Sequence, residues 1–163
     1  MVRVREATEA DWPSIWPIVE GVVRAGETYT YPRDLTEAAA RRLWMQPPPG
    51  VTLAAVDAAG RVLGTAKLGP NQLGPGSHVA NASFMVADDA RGRGVGRALG
   101  EAAISRAAAD GYRAMQFNAV VEVNHWAVAL WKALGFAIIG TSPEAFDHPR
   151  DGLVGLHIMY RRL

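Results

Sequence analysis

Seven residues, Arg91-Gly-Arg-Gly-Val-Gly-Arg97, constrain the fold of this chain more than any others. Before them stands His78 to Ala87, which reads as a strand. After them comes Val95 to Ala109, an alanine-rich stretch that reads as a helix ending at Asp110-Gly111. At such a junction the first helical N–H groups lack partners and the helix dipole presents partial positive charge. Gly92, Gly94 and Gly96 let the main chain turn sharply and approach a ligand, while Arg91, Arg93 and Arg97 add charge-assisted hydrogen bonds to phosphate oxygens. The segment is predicted to cradle an anion, with a pyrophosphate as the natural guest; the plainer alternative is a glycine-rich turn with solvated arginines. Spacing rules out two other nucleotide schemes. The pattern G-x-G-x-x-G fails because Arg97 and Leu99 stand where its third glycine is needed, and no G-x-x-x-x-G-K-[ST] occurs.

The flanking segments alternate between strand and helix signals. Val2 to Arg5 reads as a short strand. A helix follows with Trp12, Ile15, Trp16, Val19, Val22 and Val23 on one face, capped by Thr8 or Asp11, bent at Pro17 and ending near Gly26. Glu27 to Arg33 is an aromatic loop, and Thr36 to Gln46 a second helix stopped by Pro47-Pro48-Pro49-Gly50. Val51 to Val56 and Arg61 to Leu68 form a hairpin across Asp57–Gly60, and Gly69 to Ser77 is a loop. Arg113 to Val121 is a strand. Asn124 caps a helix running to Leu134, and Phe136 to Gly140 and Leu153 to Arg161 are the last strands. Hairpins mixed with helical crossovers make the class α+β (mixed α/β) with one sheet. With no linker or repeat, residues 1–163 are expected to form a single domain.

Composition narrows the chemistry. The chain has 163 residues and no Cys, which excludes a disulfide framework, a thiolate zinc site and a Cys nucleophile; no metal is expected. A net charge of +1 gives no global reason for a nucleic-acid or membrane partner, so any anion site must be local. Lacking a signal-like start or a long apolar run, the protein is expected to be soluble and cytoplasmic.

The pattern Arg91-x-x-Gly94-x-Gly96 after Phe84-Met-Val-Ala-Asp-Asp, with Asn124 and the closing Leu130-Trp-Lys-Ala-Leu-Gly-Phe136, resembles the GCN5-related N-acetyltransferase (GNAT) superfamily over the whole chain. Within it the chain looks most like the phosphinothricin and L-amino-acid N-acetyltransferase branch. The resemblance implies a mostly antiparallel seven-stranded sheet, splayed between its fourth and fifth strands and flanked by about four helices. It implies acetyl-CoA as cosubstrate, its pyrophosphate on the N–H groups of Gly92 to Arg97, including Val95. Its pantetheine would pair with Phe84, Met85 and Val86, with Asn124 and Trp131 alongside. The main-chain N–H near Val86 is the expected oxyanion donor. A small-molecule primary amine, plausibly an amino acid or analogue, would be the acceptor, and a homodimer the working form.

The resemblance breaks at the proton-handling positions. The Tyr that many relatives carry seven residues after the Asn is Trp131 here, whose indole N–H is too weak an acid; the positions of two possible Glu bases hold Ala119 and Asn81. Glu27, His78, Glu122, His125 and His148 remain as candidates, each also readable as a surface charge or helix-start residue, and Asn81 and Asn118 could hold a relay water. Tyr29 and Tyr31, in the loop that overlies the acceptor site in relatives, and His148, in the connection of the last two strands, are expected near the acceptor. Two other readings stay open: N-terminal acetylation of a protein or peptide, and a noncatalytic acyl-CoA sensor.

Overall fold

The computed structural model describes residues 1–163 and contains one seven-stranded sheet in the order β1-β2-β3-β4-β5-β7-β6. The strands are β1 (Arg3–Glu6), β2 (Val51–Val56), β3 (Val62–Pro70), β4 (Val79–Val86), β5 (Ala114–Val121), β6 (Ala137–His148) and β7 (Gly152–Arg162). Four helices accompany them: α1 (Trp12–Ala25), α2 (Glu37–Trp44), α3 (Val95–Ala109) and α4 (His125–Ala133). Every neighbouring pair of strands is antiparallel except β4 and β5.

The period-2 geometry of strands sorts the core into two layers. All six residues of β2 are buried. Val51, Leu53 and Ala55 face α3 with Leu99, Ala103 and Ala107, whereas Ala54 and Val56 face α1 and α2 with Ile15, Val19 and Trp44. A Cβ placed on Gly64 would lie 2.8 Å from Val95 Cγ1 and 3.0 Å from the Met85 carbonyl oxygen. The bare backbone at Gly64 therefore lets the first turn of α3 sit directly on the sheet, and this fixes where that helix begins.

Local signals account for most element ends. Thr36 caps α2 through its hydroxyl, Asn124 caps α4, and Gly26 ends α1 at φ +67°. At the start of α1 the cap is divided: Thr8 sits before a short 3-10 turn, and the Asp11 carboxylate accepts from the Thr8 N–H at 2.7 Å and from the Arg5 guanidinium at 2.7 and 2.8 Å. The Arg5 hydrogen bonds hold the Asp11 carboxyl far below the usual carboxylate range. The helix continues through Pro17 to Ala25.

Two sequence expectations need correction. β3 runs on to Pro70, because Gly69 and Pro70 keep pairing with Asn81 and Ala80. More consequentially, β6 does not stop at Gly140. It extends to His148, with register shifts between Ile138 and Gly140 and again between Ser142 and Phe146. Pro143 is tolerated because β6 is the sheet's outer strand, where a missing N–H breaks no second partnership. Phe146 and His148 are therefore strand residues opposite Val154 and Gly152, and the connection to β7 shrinks to a tight turn.

Candidate functional site

β4 and β5 pair only at Val79 with Ala114 and Ala80 with Met115, beside which the Arg113 N–H also bonds the His78 carbonyl. Beyond these residues the strands separate, and a cavity of about 1050 Å³ opens between them. It reaches from the α3 N-terminus, past the diverging strands, to the loop after α1 and the β6–β7 turn. The splayed sheet expected from sequence is present.

At one end the main chain supplies the chemistry. Gly92 and Gly94 have φ of +73° and +78°, a region that favours glycine, and a Cβ on either would meet nothing within 4 Å. Gly94 is the residue from which α3 starts. The N–H groups of Gly92, Gly94, Val95, Gly96 and Arg97 donate to no acceptor in the chain. Five unpartnered amides around a helix start, next to open space, fit a phosphate-bearing ligand. The arginines are secondary: Arg91 pairs with Asp88 at 2.8 Å, Arg97 lies 3.5 Å from Glu101, and the exposed Arg93 makes no ion pair.

Along the middle, the free edge of β4 faces the gap. The Ala87 N–H bonds Leu63 on β3, so strand alternation turns the N–H groups of Val86 and Phe84 toward the cavity. Phe84 is already engaged there: its N–H donates to the Tyr29 hydroxyl at 2.7 Å, and that hydroxyl donates to the Phe84 carbonyl at 2.7 Å. Tyr29 stacks on Tyr31 with centroids 5.8 Å apart and meets Trp44 edge-on at 6.5 Å. Burial pushes the Tyr29 hydroxyl above its ordinary pKa, keeping it a neutral donor. The gap's floor is aromatic. Trp131 is buried, with centroids 4.6 Å from Phe84 and 4.9 Å from Phe117. It packs with Phe84, Phe117 and Phe136 and also borders the cavity. Met85 points the other way, into the layer under α1. The Asn124 side-chain oxygen accepts from the Ala127 N–H at 3.3 Å, with its amide nitrogen left over beside the cavity.

The far end is assembled from side chains. Glu27 is the only carboxylate lining the cavity, and its Oε1 lies 3.0 Å from Arg150 Nη1. His148, 5% exposed, accepts at Nδ1 from the Arg150 and Asp151 N–H groups, both at 3.2 Å. Tyr31, Asn81 and His125 also line the cavity. Asn118 lines it as well: its side chain donates to Asn71 at 2.7 Å and accepts from Gln116 at 3.0 Å, which leaves one N–H and one oxygen lone pair of the amide for a water. Glu122 is occupied, accepting from the Gly155 N–H at 2.6 Å, and His78 is not among the lining residues. The resemblance puts Arg150, with His148, in the connection that helps wall the acceptor pocket, but gives it no partner. Nothing local marks a residue whose partner lies across the fold.

The family model described as Acetyltransferase (GNAT) family matches residues 3–136. An L-methionine sulfoximine/L-methionine sulfone acetyltransferase of Pseudomonas paraeruginosa is 35% identical over 147 residues, 86% of this chain and 83% of that protein. The N-acetyltransferase aca1 of Schizosaccharomyces pombe is 32% identical over 99 residues, so the chain spans about half of that relative (47%). A solved GCN5-related N-acetyltransferase from Kribbella flavida superposes with a TM-score of 0.97 at 58% identity, covering 99% of this chain and 98% of that one. A phosphinothricin acetyltransferase from Sinorhizobium meliloti, solved in complex with acetyl-CoA, shares the fold with a TM-score of 0.89 at 24% identity, covering 99% and 88% of the two chains.

Proposed function

The chain belongs to the GNAT acetyltransferase family and is an acyltransferase, and from that premise we propose that it transfers the acetyl group of acetyl-CoA to the primary amine of an amino acid or amino-acid analogue. The observation that carries the reading is the set of unpartnered amides of Gly92 and Gly94 to Arg97, beside a cavity long enough to run on to a second, polar end. The acceptor class is supported by the methionine sulfoximine and sulfone acetyltransferase, which aligns over 86% of this chain. A structural relative solved with acetyl-CoA supports the cosubstrate.

Acetyl-CoA, when bound, supplies a thioester carbonyl for attack by a neutral amine. The amides of Gly92, Gly94, Val95, Gly96 and Arg97 hold the pyrophosphate, with Arg91 and Arg93 at its flank. The edge of β4 receives the pantetheine. With Phe84 engaged by Tyr29, the Val86 N–H is the next edge amide and meets the acyl oxygen, where fixed dipoles stabilise developing charge. Asn124 orients the arm, and Trp131 with Phe84 forms its apolar bed. Glu27, the sole lining carboxylate, is positioned to accept the amine proton. Residues 1–163 act as one domain, the sheet running from Arg3 to Arg162. The resemblance to the amino-acid branch adds a cytoplasmic homodimer, which light scattering on the purified protein tests for assembly.

Purified protein is mixed with acetyl-CoA and a panel of amines, and free CoA is followed with a thiol reagent. Amino acids are expected to release CoA at a rate that rises with pH as their amines deprotonate. No release with any amine would end the reading, and release confined to peptides would move it to N-terminal acetylation.

A further inference from the structure

The two charged side chains at the far end of the cavity neutralise each other, and a ligand can replace that arrangement. Arg150 sits in the β6–β7 turn with its side chain 71% exposed. Glu27, in the loop after α1, is 33% exposed, and a single 3.0 Å contact joins them. An ion pair this open contributes little, so little is lost when a partner is exchanged. Only one guanidinium nitrogen of Arg150 makes this contact, and the fork geometry that grips both oxygens of a carboxylate remains available.

Beside it lies a donor with a defined tautomer. His148 Nδ1 faces two backbone N–H groups, those of Arg150 and Asp151, and so carries the lone pair. In the neutral ring the proton then sits on Nε2. The Asp151 carboxylate comes within 3.3 Å of Nδ1 but is not aligned as a hydrogen bond to it. Nε2 has no partner in the chain, yet no side-chain nitrogen or oxygen is both sealed from solvent and unpaired. The cavity that the otherwise buried His148 lines is the opening Nε2 faces. In that form His148 presents a fixed Nε2–H donor.

We infer that Arg150 and the Nε2–H of His148 form a subsite for a carboxylate on the acceptor, and that its arrival detaches Glu27 from Arg150 and leaves that carboxylate facing the amine. One ligand carrying a carboxylate and a nearby amine answers both halves of the resident ion pair. This rests on the amino-acid reading and names the groups that would enforce it. Both strands flanking the turn, and the loop holding Glu27, are fixed from elsewhere: Phe146 packs with Val121 and Val154, and Tyr29 ties the loop to β4.

The test compares L-methionine sulfone with 3-(methylsulfonyl)propylamine, the same molecule without its carboxylate, in wild type, R150Q and H148N. R150Q keeps the backbone N–H that holds His148. The expected result is a KM for the amino acid raised about 10- to 100-fold in R150Q, the size of a lost charge-assisted hydrogen bond, with the KM of the simple amine unmoved. A smaller rise is expected in H148N. In E27Q the KM for the amino acid is expected to hold or fall, because Arg150 is released, while kcat drops. If R150Q binds both acceptors as wild type does, the subsite is wrong and the amino-acid reading stands. If wild type acetylates only the carboxylate-free amine, both are wrong.

Discussion

The two ends of the cavity are built on opposite plans. At the α3 end the lining is unpartnered main-chain amides, those of Gly92 and of Gly94 to Arg97, all within a stretch of seven residues. At the far end the lining comes from side chains on two separate segments, Glu27 after α1 and His148 with Arg150 at the β6–β7 turn. A backbone site depends on where glycine is permitted and is hard to retune by point substitution. A side-chain site can change its ligand with any one of its segments. On the reading proposed above, the fold keeps its donor recognition while leaving acceptor choice open, and membership of the family does not by itself name a substrate.

The largest effect expected from this contrast is at Gly94. Its Cβ would meet nothing, so Gly94→Glu costs only the strain of a positive φ, about 1–2 kcal/mol. It nonetheless puts a carboxylate where the phosphates belong. Calorimetry should find no acetyl-CoA binding in a folded protein, and binding at wild-type affinity would show that the amide row is not the donor site. Next, Glu27→Gln should lower kcat about 100-fold while acetyl-CoA affinity stays as in wild type, separating the two ends functionally. An unchanged kcat would remove Glu27 from proton transfer.

Tyr29 joins the two ends, and its removal sharpens the boundary between them. Tyr29→Phe deletes both hydrogen bonds to Phe84 and should destabilise the protein by about 1–3 kcal/mol in urea titrations, with acetyl-CoA affinity preserved. A gain in affinity would instead show that the hydroxyl stands where the acyl oxygen binds, and would assign that oxygen to the Phe84 N–H. The hydroxyl also carries a pH signature. Its folded pKa is raised above the ordinary 10.0, so its stabilising contribution is complete below pH 10 and declines as pH climbs beyond it. Wild type should lose urea resistance between pH 10 and 11 more steeply than the Phe variant. The smallest effect is expected at Trp131. Its ring is packed among Phe84, Phe117 and Phe136, so Trp131→Tyr should leave kcat within the same order of magnitude. A marked rise would mean that protonation of the departing thiolate had been limiting.

The same contrast explains what could be read from sequence. Glycines at Gly92 and Gly94 and an alanine-rich helix declare themselves locally, because a turn that needs positive φ selects one residue type wherever it occurs. The cap at Asn124 is also legible locally, because a short side-chain oxygen satisfies an open N–H at a helix start. The extent of β6 was not. Gly140-Thr-Ser-Pro-Glu has the composition of a loop, and only its pairing with β7 makes it a strand. The tautomer of His148 and the partner of Arg150 were hidden more deeply, since each depends on atoms that the chain brings together only after folding.

The irregular outer strand has a consequence beyond the site. Pro143 offers no amide hydrogen, Glu144 twists to φ +50°, and two register shifts break the rim of β6; the opposite margin, β1, is four residues long and carries Arg3, Arg5 and Glu6. Neither border offers a foreign peptide a long, flat template for lateral association. The tendency of exposed sheets to recruit further strands is thus suppressed around the perimeter, and the edge that β4 leaves open beyond Ala80 lies indoors, in the cleft where it parts from β5.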